Sequence, residues 1–122
     1  MTRILVIGFD PAAVPGVDPD AVAPAFEQAR RRADEEGVEL VECLIALDDS
    51  ADAQLDASLK DGRWDCIVIG GGMRKPDAVV ELFEYVVNLA IRTAPSVPLA
   101  FNTSPADTVE SALRALKHAS GR

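Results

Sequence analysis

One short run of apolar residues, Cys66-Ile67-Val68-Ile69, leads directly into three glycines and constrains the fold more than any other segment. A run of this length, rich in β-branched residues, is typical of a buried strand in a parallel sheet, because helices cover both faces of such a strand. Glycines at the carboxyl end of a strand let the backbone approach a ligand or a neighbouring element closely. The sequence therefore predicts a parallel strand that ends in a candidate site at Gly70.

The rest of the chain alternates strand patterns with helix patterns. Further strands are predicted at residues 4–7, 38–47 and 97–101. Helices are predicted at residues 20–36, around Leu55 and Leu59, at residues 77–93, and from a cap at Ser104 to about residue 119. The first helix carries an apolar stripe on one face, and Pro24 is expected in its first turn; the stripe consists of Val22, Phe26, Ala29 and Ala33.

This alternation defines the expected fold, because strands separated by helices pair in parallel through right-handed crossovers. A composition of 48% hydrophobic but only 5% aromatic residues suits buried aliphatic strands. We predict one α/β domain over residues 1–122, a three-layer sandwich of flavodoxin-like or Rossmann-like type. Its open parallel sheet has four strands in the order 2-1-3-4. Ligands of such sheets bind outside the carboxyl ends of the strands, where the winding direction switches.

The charge balance limits the classes of partner. Acidic residues outnumber basic ones by 20 to 12, for a formal net charge of −8, which disfavours nucleic acid and anionic membranes. Neither a basic leader nor a long apolar segment precedes the first strand pattern, so a cytoplasmic location is expected. Cys43 and Cys66 fall inside strand patterns and are interpreted as buried structural residues.

Four segments are expected to meet at the carboxyl edge of the sheet: residues 8–10, 48–50, 70–75 and 102–104. Backbone N–H groups at the start of the helix that follows the glycines, with Arg74 and Lys75 beside them, suit a phosphate or carboxylate group. We predict a binding site for a small anionic molecule in which Arg74 is the main charged contact. The predicted binding residues are Gly70, Gly71, Gly72, Arg74, Lys75, Asn102, Thr103 and Ser104.

Other interpretations of the same segments remain open. Arg74 and Asp10 are one candidate ion pair across the crevice, in which case the glycines only turn the chain. Asp10, Asp48 and Asp49 are candidate oxygen ligands for Mg²⁺, although strand-end aspartates are more often caps and turn formers. Asp107 is interpreted as part of a helix cap that begins at Ser104. Neither the phosphate-loop signature nor the dinucleotide-binding fingerprint is present, so a nucleotide stays an open alternative that no motif selects, and the sequence identifies no cofactor.

The helix predicted at residues 77–93 is apolar around most of its circumference. Its polar positions form only a narrow stripe of Asp77, Glu81, Glu84, Asn88 and Arg92. One face of a small sheet cannot cover so wide an apolar surface. We therefore predict a homodimer packed through this helix; the alternative is that flanking helices and Trp64 cover it.

Residues 65–116 resemble an uncharacterised family of small bacterial and fungal α/β proteins. The resemblance rests on the glycine-rich turn with Arg74 and Pro76, on Leu82-Phe83-Glu84, and on the motif Phe101-Asn102-Thr103-x-Pro105-x-Asp107-Thr108. It implies no activity, but it marks Arg74, Asn102 and Thr103 as the first residues to mutate.

Two further likenesses concern the fold. The order of elements looks like that of a response-regulator receiver shortened by one unit, but glycine occupies the position of the phosphorylated aspartate, so phosphorylation of that kind is not expected. The opening Gly8-Phe9-Asp10-Pro11 looks like the start of pyrrolidone-carboxyl peptidases, yet the chain is too short and has no suitable Cys-His pair, so that activity is rejected.

Three hypotheses on function follow. The first is a protein that binds a small anionic molecule at the carboxyl edge. The second is a receiver-like, non-catalytic module for dimerisation or docking through the helix at residues 77–93. The third is an enzyme of unassigned class that uses Asp10 as an acid, a base or a metal ligand.

Overall fold

The computed structural model describes residues 1–120. Four parallel strands form one sheet in the order β2-β1-β3-β4, as predicted. The strands are β1 Arg3–Phe9, β2 Glu39–Ile45, β3 Cys66–Ile69 and β4 Leu99–Phe101. The helices are α1 Pro19–Glu36, α2 Ala51–Lys60, α3 Val80–Thr93 and α4 Thr108–Ser120. The chain is an α/β sandwich of flavodoxin-like type.

Alternation along the strands creates two cores, one on each face of the sheet. On one face, Ile4 and Val6 of β1 pack with Ala33 of α1 and with Val109 and Ala112 of α4. On the other face, Leu5 and Ile7 of the same strand belong to a larger cluster with residues of α2 and α3. Because successive side chains of a strand point to opposite faces, a continuous apolar run is needed to build both cores.

Several element boundaries differ from those predicted. β2 is shorter than the predicted 38–47, and β4 begins only at Leu99, after Pro98, whose ring removes a backbone donor. The predicted helix at 77–93 is divided into a 3-10 turn, Asp77–Val79, and α3.

Pro24 was expected in the first turn of α1 but lies in the second. Asp18 caps the helix by accepting a hydrogen bond from the N–H of Asp20, and Pro19 takes the first helical position. Pro24 is exposed there. Solvent can therefore satisfy the carbonyl group that loses its usual helical partner.

α1 buries only part of its predicted apolar stripe. Ala29 and Ala33 are buried, whereas Val22 and Phe26 are half-buried. The amino-terminal half of the helix thus presents apolar side chains that do not complete the core. No helix among residues 1–120 is long and apolar enough to cross a membrane.

Candidate functional site

A cavity of about 490 Å³ opens at the carboxyl edge of the sheet, on the face covered by α1. Alternate residues of the two strands form its floor: Val6 and Gly8 of β1, and Leu40, Glu42 and Leu44 of β2. Val22, Phe26 and Ala29, spaced by four and three residues along α1, form its wall. These periodicities explain why the cavity is largely apolar, because each element turns its apolar face toward it.

The rim of the cavity contains most of the predicted binding residues. Gly70, Gly71, Gly72, Lys75, Asn102, Thr103 and Ser104 all line it. Of the predicted binding residues, only Arg74 does not line it. Tertiary structure thus brings the glycine-rich turn and the turn after β4 to the same cavity.

Close approach of the backbone explains two of the three glycines. A Cβ atom at Gly70 would lie 3.2 Å from the carbonyl oxygen of Ile7, to which the Gly70 N–H already donates a hydrogen bond of 2.8 Å. A Cβ atom at Gly71 would lie 3.2 Å from both the Lys75 side chain and the Thr103 carbonyl oxygen. At Gly72 it would make only an ordinary contact with Phe9, so close packing does not require glycine there.

Asn102 joins the turn after β4 to the glycine-rich turn. Its side chain is 2% exposed; Oδ1 accepts a hydrogen bond of 2.9 Å from the Gly71 N–H, and Nδ2 donates one of 2.9 Å to Thr108 Oγ1. The Thr108 hydroxyl in turn donates to the Pro105 carbonyl oxygen at 2.7 Å. The amide of Asn102 is therefore a structural link at the edge of the cavity, and both of its ends are occupied.

Arg74 contacts the end of β4 and does not line the cavity. Its Nη2 donates to the carbonyl oxygen of Asn102, and its guanidinium carbon lies 5.8 Å from the centre of the Phe101 ring. No ion pair between Arg74 and Asp10 forms within residues 1–120. That interpretation of the two residues is therefore wrong, and Arg74 holds the end of β4 instead.

Lys75 is the cation that borders the cavity. Its Nζ donates a hydrogen bond of 2.7 Å to the Thr103 carbonyl oxygen, which uses one of its three donors. Lys75 is exposed and forms no ion pair with an acidic side chain of the described residues. Its positive charge is therefore available to an anion in the cavity.

Asp107 closes the first turn before α4 through a capping box. The Ser104 Oγ accepts a hydrogen bond of 3.2 Å from Ala106 N–H, and Asp107 accepts from the N–H groups of Ser104 and Thr103 and from Thr103 Oγ1. The predicted cap is confirmed. These donors of Thr103 and Ser104 are already used within the protein, which leaves Lys75 as the stronger candidate for contact with a ligand.

The same hydrogen bonds set the pKa of Asp107. Burial raises the pKa, but hydrogen bonds from the Thr103 hydroxyl and from the Ser104 and Thr103 N–H groups, with the charge of Arg114, outweigh burial and lower it below its usual value. The cap therefore stabilises the fold fully above the unfolded-state pKa of about 3.9 and loses this contribution as the pH falls through the folded-state value.

Asp107→Asn is expected to lower the free energy of unfolding at pH 7 by about 1 kcal/mol, because a neutral amide caps more weakly than a carboxylate. The free energy of unfolding should also fall less steeply in the variant between about pH 5 and pH 2. Urea unfolding across this pH range measures both effects. Parallel pH profiles for the variant and the wild type would contradict the role of the cap.

The remaining predicted aspartates do not assemble a metal centre. Asp10 caps its own 3-10 turn, Pro11–Ala13, through a 3.0 Å hydrogen bond from the Ala12 N–H, and it borders an adjoining cleft of about 190 Å³ rather than the cavity itself. Hydrogen bonds from the hydroxyl and N–H of Ser50 lower the pKa of Asp48, as expected for a turn former. Among the described residues, no group of three or more His, Cys, Asp and Glu side chains is arranged to hold a metal ion. Asp49 is exposed.

Both cysteines are buried free thiols, as predicted. Burial, together with the negative charge of Asp65, raises the pKa of Cys66 to about 11, and burial also raises the pKa of Cys43. Since the thiolate is the reactive form, neither residue is suited to act as a nucleophile near neutral pH.

The apolar part of the site lies outside the set of binding residues predicted from the sequence. That set does not include Leu40, Leu44, Val14 or Val17, yet all four line the cavity. One signal in the sequence points there: the loop before α1 carries Val14 and Val17 among its prolines.

No known protein-family model matches this chain, and no curated protein is similar enough to count as a relative. The resemblance of residues 65–116 to the family described above therefore stays a prediction.

Proposed function

We propose that this protein binds a small anionic molecule in the cavity at the carboxyl edge of its sheet, with Lys75 as the principal charged contact. The observation that carries the proposal is an exposed lysine at the rim of an apolar cavity, without an acidic partner among the described residues. A cavity of about 490 Å³ falls within the usual range for small-molecule sites.

The local geometry favours Lys75 over Arg74 in this role. Arg74 donates to the Asn102 carbonyl oxygen and does not itself line the cavity, whereas Lys75 donates to the next carbonyl along the chain, that of Thr103. Both cations position the turn after β4, but only Lys75 borders the space that a ligand would occupy. We therefore assign Arg74 a structural role, in which it positions the turn that borders the cavity.

A thermal-melt screen against nucleotides, sugar phosphates and carboxylates tests the proposal. A ligand at a hundred times its dissociation constant adds about 2.7 kcal/mol of stability, which raises the midpoint by several degrees. We expect Lys75→Met to reduce this shift to about half or less, because the substitution removes the charge and keeps most of the length of the side chain. Lys60→Met serves as the matched control, since Lys60 is exposed on α2 and pairs with Asp56 away from the cavity.

Two outcomes would contradict the proposal. An unchanged shift in Lys75→Met would remove Lys75 from the site. If no anion of the panel raises the thermal midpoint, the proposal that the cavity binds an anionic molecule fails.

A second proposal concerns self-association through α3. Val80 and Ile91 are 49% and 51% exposed, and half-buried Val87 lies between them on the same face of the helix. Phe83 of α3 contacts partly exposed Phe101 of β4, with ring centres 6.1 Å apart, and so extends the apolar surface. The helix is not covered all round within one chain, which favours the predicted homodimer.

Light scattering on the purified protein should give twice the chain mass at micromolar concentration. Ile91→Glu should yield monomers, because a charged side chain would then be buried at the interface. Tyr85→Glu is the control, since Tyr85 is also exposed but lies roughly 120° away around the helix at 3.6 residues per turn. A monomeric wild-type protein would refute the dimer.

A further inference from the structure

The cavity is much more apolar than a simple anion requires. Behind Lys75, it is bounded chiefly by aliphatic and aromatic side chains, including Val6, Phe26, Leu40 and Leu44. A compact phosphate or small carboxylate would contact the rim alone and leave this surface in water. Such a surface suits a ligand that has an apolar body as well as a charge.

Exposed apolar side chains continue from the interior of the cavity to its mouth. Val17 and Leu47 are 39% and 53% exposed, and both line the cavity. Val22 and Phe26 are only half-buried, although they continue the apolar stripe of α1 that Ala29 and Ala33 bury. An apolar ligand would cover these two exposed and two half-buried side chains at once.

The acidic side chain in the cavity lining does not oppose an anionic ligand strongly. Glu42 accepts hydrogen bonds from Arg30, with Nη2 and Nε at 2.8 and 3.2 Å from its two carboxylate oxygens. This two-point ion pair offsets its charge on the α1 side. Lys75, in contrast, keeps an uncompensated positive charge at the rim.

Gly8 leaves open space in the floor of the cavity. A Cβ atom there would make only an ordinary contact of 3.7 Å with the Leu44 side chain, and the backbone lies in the regular part of β1. A larger residue at this position would project into the cavity, since Gly8 lines it on the same face as Val6. Glycine at this point preserves the volume of the cavity.

We infer that the ligand is an anionic amphiphile, such as a straight-chain carboxylate, with its head at Lys75 and its alkyl body between α1 and the sheet. This inference rests on the proposed binding of an anion and specifies the class of ligand. The alkyl body extends from the rim toward Phe26 and Leu40, where it replaces water against the half-buried side chains.

Titration calorimetry with hexanoate, octanoate and decanoate, below the concentrations at which they form micelles, tests the inference. Affinity should rise about fourfold for each methylene, so decanoate should bind about a hundredfold or more tighter than hexanoate. Lys75→Met should weaken decanoate binding about tenfold or more, and Lys60→Met should leave it unchanged. Decanol, which has the same body without the charge, should bind the wild type more weakly than decanoate and should not respond to Lys75→Met.

Gly8→Val tests the contact with the alkyl body of the ligand independently of the contact between its charged head and Lys75. We expect this variant to lose most of the gain in affinity from hexanoate to decanoate, while its thermal midpoint stays at or above that of the wild type. Gly8→Ala, which adds a single methyl group, should show a smaller change in the same direction.

The alternative outcomes separate the inference from the proposed function. If hexanoate and decanoate bind equally and both depend on Lys75, the anion site stands and the amphiphile is refuted. If decanol binds as tightly as decanoate and Lys75→Met changes neither, the charged contact is refuted and so is the inference. If no carboxylate of the series binds while another anion of the screen does, only the inference fails. If nothing binds, both fail.

Discussion

Asn102→Ala is expected to lower the free energy of unfolding by about 2 to 3 kcal/mol. The substitution leaves the buried Gly71 N–H without an acceptor and removes the donor that contacts Thr108 Oγ1. A buried donor without a partner retains its full desolvation penalty, which is why the effect exceeds the net value of an ordinary hydrogen bond. Urea unfolding followed by circular dichroism measures the change.

Asn88→Ala is the matched control for this prediction. Asn88 is exposed on α3, and its side chain donates to the Glu84 carbonyl oxygen one turn earlier. Its substitution should change stability by less than about 0.5 kcal/mol. Equal effects at the two positions would show that Asn102 does not act as a buried link.

A double-mutant cycle with Thr108→Val locates the effect in the hydrogen-bond network. Thr108 accepts from Asn102 Nδ2 and donates to the Pro105 carbonyl oxygen, so its loss breaks the same chain of contacts. When two residues belong to one hydrogen-bond network, the double substitution lowers the free energy of unfolding by less than the sum of the two single substitutions. We expect the double variant to be more stable than additivity predicts, and strict additivity would refute the network.

Trp64→Ala is expected to have the largest effect of the variants considered, a loss of about 3 to 5 kcal/mol. Trp64 is 6% exposed and belongs to the same buried cluster as Val86 and Leu89 of α3. Its Nε1 donates a hydrogen bond of 3.1 Å to the Ser58 carbonyl oxygen, and the guanidinium carbon of Arg3 lies 4.4 Å from its ring centre. Removal of the ring leaves a large cavity beneath α2 and α3.

Trp64→Phe keeps the prediction testable if the alanine variant fails to fold. Phenylalanine retains most of the apolar volume but cannot donate to Ser58, so we expect an intermediate loss. Denaturant unfolding of both variants by circular dichroism gives the order. If the two substitutions lower the free energy of unfolding by the same amount, packing of the ring is not what stabilises the protein at this position.

The strand order was predictable because the apolar runs and the alternation of strands with helices are clear in the sequence. Ile4–Ile7 and Cys66–Ile69 are continuous apolar runs, as strands buried on both faces must be, and the intervening helices force parallel crossovers. Boundaries were less predictable. Val38 and Leu47 satisfy a strand pattern, yet β2 spans only Glu39–Ile45, because hydrogen bonds with β1 decide where a strand ends.

The candidate site was predictable as a location but not as a geometry. The carboxyl ends of β1, β3 and β4 had to meet at one edge, so Gly70 and Asn102 were expected close together, and the Asn102 side chain contacts Gly71. The choice between Arg74 and Lys75 was beyond the sequence. The two cations are adjacent, and only the course of the turn decides which of them borders the cavity.

The cavity itself depends on distances that no local pattern contains. Val22 and Phe26 have the spacing of core residues, but α1 buries only Ala29 and Ala33 fully. Whether an apolar side chain packs into a core or borders a void depends on how closely a helix approaches its sheet. That approach follows from packing across the whole layer, including the turns before α1 and α4.

The sequence by itself determined the class of fold, the order of the strands, the buried cysteines and the cap at Ser104 and Asp107. Each of these follows from short-range chemistry or from periodicity, which a few neighbouring residues encode. Only the tertiary structure decided that Asn102 links two turns, that Arg74 contacts the end of β4 and does not line the cavity, and that an apolar space lies under α1. These features arise from contacts between residues far apart in the chain, and such contacts are set when whole elements pack together.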